Sequence, residues 1–132
     1  MRLGEILEQK GDNRIISIDG NATICQAAAE MSVNNVGALL VTIEKDVEGI
    51  VTERDLVRLW NREESLRKSP IHRFMSSKLI KASVEDTLED ALASMSVNNI
   101  RHLVVKDGDR IAGVLSIKDL VRVVVGQVKN HN

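Results

Sequence analysis

Two stretches of this chain set a glycine, a hydroxyl and a carboxylate at one spacing: Gly49-x-x-Thr52-x-x-Asp55 and Gly113-x-x-Ser116-x-x-Asp119. A hydroxyl followed three residues later by a carboxylate is the pattern of a helix N-terminus, where each side chain accepts from the other residue's backbone N–H. One copy alone would be read as a plain cap. The glycine is not needed for capping; in a strand it lets another group approach the backbone closely. A helix N-terminus also offers free N–H groups and the positive end of a dipole, which suits phosphate. A carboxylate one turn into the helix can accept from two vicinal hydroxyls, as ribose carries. The chemistry within reach of these residues is therefore recognition of a ribose phosphate.

The two motifs sit inside a longer repeat. Met31-Ser-Val-Asn-Asn35 recurs as Met95-Ser-Val-Asn-Asn99, 64 positions on (95 − 31), and the offset holds without a gap to Arg58 and Arg122. A fixed period means one supersecondary unit used twice. Each unit reads as strand, helix, strand, strand, helix. In the first, the strand Arg14–Ile18 precedes a helix from Thr23 to about Asn34, with Ile24, Ala27, Ala28 and Met31 inward at helical spacing. The apolar run Gly37–Ile43 reads as a buried strand, Val47–Val51 returns antiparallel, and Thr52 opens a closing helix to about Arg62. The second copy gives a strand at Leu79–Ala82, a helix from Thr87 to Asn98, a hairpin around Lys106-Asp-Gly-Asp109, and a closing helix from Ser116 to about Val128. Asn34, Asn35, Asn98 and Asn99 end helices, where asparagine tolerates the left-handed conformation.

Each unit begins with a short turn. Leu3-Gly-Glu-Ile-Leu7 resembles Ile71-His-Arg-Phe-Met75, and Pro70, the only proline, starts the second. The offset there is 68 (71 − 3), so the first unit carries about four extra residues near Gly11-Asp-Asn-Arg14. The expected boundaries are residues 1–64 for the first repeat, 65–76 for a linker and lead-in turn, and 77–132 for the second repeat. A unit of about 50 residues buries too little to stand safely alone. The fold class expected is α+β, two βαββα repeats paired through their sheets in pseudo-twofold symmetry as one small module.

Composition removes several functions. The net charge is −1 and there is no basic block, so nucleic acid finds no electrostatic support. Trp60 and Phe74 are the only aromatic residues, too few for base stacking. No apolar run approaches the roughly 18 residues of a membrane span, and the charged N-terminus lacks the apolar core of a signal peptide. Cys25 is the single cysteine; it reads as a small buried hydrophobe and fits a cytoplasmic setting. His72, His102 and His131 lack metal-ligand spacing, and no phosphate-cradling glycine-rich loop is present, so neither a metal site nor an enzyme is expected. The closing helices are apolar over wide arcs, through Leu56, Val57, Leu59 and Trp60 in one and Leu120, Val121, Val123, Val124 and Val125 in the other. Such helices are buried on more than one side, which predicts a homodimer with Trp60 near the interface.

From Met1 to about Val128 the chain resembles a tandem CBS-domain pair, the cystathionine-β-synthase-type regulatory module. In that family, Gly-x-x-Thr/Ser-x-x-Asp motifs hold adenosine-containing ligands such as AMP, ADP, ATP, NAD or S-adenosylmethionine. The resemblance implies ribose-binding roles for Asp55 with Thr52 and for Asp119 with Ser116. After Asn99 the chain reads Ile100-Arg101-His102, where the first copy has Val36-Gly37-Ala38. By the resemblance, Asp55 and Thr52 share a phosphorylated ligand with Arg101, His102 and Lys118, while Asp119 and Ser116 join Arg54 in a second site that is less charged or empty. Arg54 and Lys118 lie in first helical turns, where a positive charge opposes the dipole unless phosphate is near. Ile16, Ile80, Val36, Ile100, Val51 and Leu115 would wall the adenine pockets. The expected function is a non-enzymatic regulatory module that binds an adenosine nucleotide and acts on a protein partner in trans. The competing reading is a ligand-free interaction module whose motifs serve only as caps.

Overall fold

A computed structural model of the chain describes residues 1–11, 14–62 and 64–130. Both repeats fold as βαββα. The first comprises β1 (Ser17–Asp19), α2 (Ile24–Asn34), β2 (Ala38–Ile43), β3 (Asp46–Thr52) and α3 (Glu53–Trp60), preceded by α1 (Leu3–Lys10). The second comprises β4 (Lys81–Ser83), α4 (Leu88–Asn98), β5 (His102–Asp107), β6 (Arg110–Ser116) and α5 (Ile117–Asn130). Short 3₁₀ turns, Glu64–Lys68 and Ile71–Arg73, lie between them. Each sheet has three strands: β1 runs parallel to β2, which pairs antiparallel with β3, and β4, β5 and β6 repeat the order.

Local chemistry fixes the helix ends. The Thr23 hydroxyl accepts from the Gln26 N–H while the Gln26 side chain accepts from the Thr23 N–H, and Thr87 and Asp90 repeat this box. Asn35 and Asn99 close α2 and α4 at φ 53° and 52°, the left-handed caps expected of asparagine. Between them, α2 buries Ile24, Ala27 and Met31, and α4 buries Leu88, Ala91 and Met95. Cys25 is exposed, contrary to the expectation from its apolar setting. It falls one residue past Ile24, about 100° around the helix and off the buried stripe.

The chain divides into two compact units, Met1–Ile15 with Ile80–Asn132, and Ile16–Leu79. The boundaries expected from the repeat follow chain order; the compact units exchange their lead-ins. Leu3 N–H donates to the Asp86 carbonyl (2.8 Å), Gly4 to Val84 (3.0 Å), and Leu88 back to Met1 (2.9 Å). The other unit matches bond for bond: Ile71 to Ala22 (2.7 Å), His72 to Gly20 (3.0 Å), and Ile24 to Ser69 (3.2 Å). The lead-in residues carry the 68-residue offset and the repeat residues the 64-residue offset. Asp12 and Asn13, where the extra residues were expected, lie outside the described residues.

In the unit that holds the N-terminus, Leu3, Ile6 and Leu7 of α1 join Leu88, Met95, Leu103, Leu115 and Leu120 in one buried cluster. In the other, Ile71 joins Ile24, Met31, Leu39, Val51, Leu56 and Leu59. Leu3 and Ile71, the matched anchors, are fully buried. Each contributes about 1.5–3 kcal/mol of hydrophobic stabilisation, which adds to the backbone hydrogen bonds that hold each lead-in. Both central hairpins shift register one position before the motif glycine, leaving Glu48 and Ala112 as the extra residues.

Candidate functional site

The glycine that opens each motif packs against its own unit. A Cβ at Gly49 would run into the Met75 side chain, and one at Gly113 would lie 2.9 Å from Leu7 Cδ2. Met75 and Leu7 are matched lead-in residues. The close approach expected of these glycines is thus made by the lead-in.

Thr52 and Asp55 form a complete capping box at the start of α3. Asp55 Oδ2 accepts from the Thr52 N–H (2.9 Å) and from the Thr52 hydroxyl (3.0 Å), while the hydroxyl accepts from the Asp55 N–H (3.3 Å). The Glu53 N–H donates to the Gly37 carbonyl. Asp55 is half-buried, and among the described residues no cation lies within ion-pair distance of it and Oδ1 has no hydrogen-bond donor.

Ser116 and Asp119 build the same box at α5. Asp119 Oδ2 accepts from the Ser116 N–H (2.8 Å), and the Ser116 hydroxyl accepts from the Asp119 N–H (3.2 Å). The Ile117 N–H donates to the Arg101 carbonyl, as Glu53 does to Gly37. Here the carboxylate is already paired. Lys10 Nζ lies 3.1 Å from Asp119 Oδ2, and Arg122 Nη1 lies 3.9 Å from Oδ1. Asp119 is only 8% exposed. Burial pushes its carboxyl up, but the Ser116 N–H and the Lys10 ammonium outweigh it and hold the carboxyl below the usual range.

The remaining candidates divide between the units. Arg54, with Thr52, Asp55, Ile16, Val36 and Val51, belongs to Ile16–Leu79; Arg101, His102, Lys118, Ile80, Ile100 and Leu115 belong with Ser116 and Asp119. Arg54, Arg101 and Lys118 are exposed and His102 is half-buried. Val51 and Leu115 are fully buried in the two cores and serve packing there. Ile16, Val36, Ile80 and Ile100 sit half-buried at the margins, with surface left for a ligand. Lys10 was missed in the sequence, where nothing but its place one turn after Leu7 marks it. Among the described residues no group of three His, Cys, Asp or Glu side chains could hold a metal ion, and no helix is long and apolar enough to cross a membrane.

A family model for the CBS domain matches residues 7–62 and 71–126. The chain is 36% identical over 119 residues to an uncharacterised 17.7 kDa protein of Acidianus ambivalens, covering 88% of this chain and 71% of that one. Its fold superposes on a CBS-domain protein from Agrobacterium tumefaciens with a TM-score of 0.87 at 25% identity, covering 93% and 98% of the two chains. It also superposes on a CBS domain protein from Pyrobaculum aerophilum complexed with AMP, with a TM-score of 0.80 at 29% identity over 98% and 99%.

Proposed function

The chain belongs to the CBS domain family, and on that premise we propose that it is a non-enzymatic regulatory module that binds an adenosine nucleotide. The observation that carries this reading is the state of Asp55. It is a half-buried carboxylate held rigid by its cap, with one oxygen unspent and no cation beside it among the described residues. Two vicinal hydroxyls donating to that carboxylate would complete it. The likeness to a protein crystallised with AMP supports the ligand class. AMP, ADP, ATP, NAD and S-adenosylmethionine all carry the ribose diol that Asp55 requires. Arg54, Arg101, His102 and Lys118 are the proposed phosphate-facing residues.

The regulated partner is a protein acted on in trans. The module is proposed to work as a homodimer through α3 and α5, whose Val57, Trp60, Val121, Val125 and Val128 are exposed. Light scattering of the purified protein tests the dimer.

Thermal shift against those five ligands and guanine nucleotides tests the ligand. A ligand present at a hundred times its dissociation constant adds about 2.7 kcal/mol, a rise of several degrees. Stabilisation by an adenosine compound and not by its guanosine counterpart is the expected result.

The completeness of both capping boxes favours one other reading, a ligand-free interaction module. It predicts no shift with any nucleotide in protein stripped of co-purified ligand.

A further inference from the structure

The two motifs match in sequence and differ in what touches the carboxylate. We propose that Lys10 is a specificity-determining residue that closes the Ser116/Asp119 position, so that a ribose-bearing ligand fills the Thr52/Asp55 position alone until the Lys10 ammonium withdraws. This rests on the ribose-binding reading of the motifs.

The geometry follows from how each lead-in ends. In α1, Leu7 packs on Gly113, and Lys10 follows it by three residues on the same helical face. That places Lys10 Nζ over β6, where it donates to the Val114 carbonyl at 3.1 Å and meets Asp119 Oδ2 at 3.1 Å. In the other unit the helical turn ends at Arg73, and the chain then pairs with β3 as a strand does. The Ser76 N–H donates to the Ile50 carbonyl at 2.9 Å, so the carbonyl matching that of Val114 is satisfied by backbone. Lys78 matches Lys10 under the lead-in offset and makes no ion pair with Asp55 among the described residues.

The consequence is chemical. Ribose hydroxyls are neutral donors, and at Asp119 they would compete for a buried carboxylate with the Lys10 ammonium on Oδ2 and the Arg122 guanidinium beside Oδ1. They would also strip the Val114 carbonyl of its donor. At Asp55 no cation competes with them among the described residues. Withdrawal of Lys10 frees the end of α1, so filling the second position would be felt at the N-terminal helix.

The test is isothermal titration of the intact protein, Lys10→Met, Asp55→Ala and the double variant, each against AMP, ATP, NAD and S-adenosylmethionine. The proposal expects one site per chain in the native protein, weakened at least tenfold in Asp55→Ala. Lys10→Met gains a second site, tightened at least tenfold, and the double variant keeps that one alone. Equal stoichiometry and affinity in native and Lys10→Met protein would overturn the lock while leaving the ribose reading standing. A native site that keeps its affinity in Asp55→Ala overturns it too. Absence of binding in every protein overturns the ribose reading and the lock with it. Lys10→Gln, which keeps a donor for the Val114 carbonyl, is titrated in parallel with melting curves, and it decides the matter if Lys10→Met does not fold.

Discussion

The backbone N–H of His72 donates to the carbonyl of Gly20 at 3.0 Å, and at the matched contact the N–H of Gly4 donates to the carbonyl of Val84 at the same distance. The sizes are inverted. In one unit the small residue is on the repeat and the large one on the lead-in; in the other, the reverse. A Cβ at Gly20 would lie 3.1 Å from His72 Cβ and 2.5 Å from Ile43 Cδ1, and one at Gly4 would lie 3.3 Å from Val84 Cβ. Swapping the partners would set His72 against Val84 and Gly4 against Gly20, a clash and a void. Size complementarity thus selects the exchanged docking over the alternative, a discrimination built from repulsion as well as fit.

Gly20→Val should therefore destabilise the protein by about 1–3 kcal/mol, the scale of overpacking. Adding His72→Gly recreates the Gly4/Val84 pair and should restore part of the loss. A double-mutant cycle in urea checks it, with an expected coupling above about 0.5 kcal/mol. Additive effects would show that the pair does not set the docking.

This contact was hidden in the sequence, and the reason is physical. The repeat made the βαββα order and the caps legible, because Thr23, Thr52, Thr87 and Ser116 act through neighbours three residues away, and Asn35 and Asn99 through their own backbone. Strand positions shifted by up to three residues at the first strand of each repeat, since three-residue strands carry little periodic signal. Which lead-in packs on which repeat depends on contacts more than 40 residues away in the chain, as in Leu3 with Asp86 and Ile71 with Ala22. The same holds for Lys10. Its motif partner Asp119 was visible as a candidate, yet the pair joins residues 109 positions apart (119 − 10).

At the motif itself, Asp55→Ala should weaken binding of the stabilising nucleotide by about 1.5–3 kcal/mol, the cost of losing hydrogen bonds to a charged group. That is roughly ten- to over a hundredfold in affinity, read by isothermal titration. Thr52→Ala should lower stability by about 0.5–2 kcal/mol through loss of the cap. Unchanged affinity in Asp55→Ala would remove the ribose role from that carboxylate.

The β2–β3 turn carries strain that substitution can relieve. Glu44 and Lys45 both adopt positive φ, 50° and 75°, where the β5–β6 turn has Gly108 at 63°. A non-glycine residue there costs about 1–2 kcal/mol. Lys45→Gly should raise stability by about 0.5–1 kcal/mol after its greater unfolded-state entropy is offset. Thermal denaturation checks it; a fall in melting temperature would mean that the Lys45 side chain is stabilising.

The Lys10–Asp119 pair predicts how the fold responds to acid. Burial pushes the Asp119 carboxyl up, but the Ser116 N–H and the Lys10 ammonium leave it below the usual range in the folded chain. Unfolded, it returns to about 3.9. The folded state therefore binds this proton less readily than the unfolded state, and stability rises with pH across the interval between the two values. The contribution is complete above about pH 5 and is lost as pH falls below 4 through the folded value. Lys10→Met removes the cation that deepens the shift. At pH 7 it should be less stable than the native protein by about 1.5–3 kcal/mol, the scale of a hydrogen bond to a charged group, and its melting temperature should fall accordingly. The gap should close below pH 4, where a protonated Asp119 has no charge to offer the ammonium. A gap that stays constant from pH 7 to pH 3 would show that Lys10 stabilises α1 through its stem or its bond to the Val114 carbonyl, and not by pairing with Asp119.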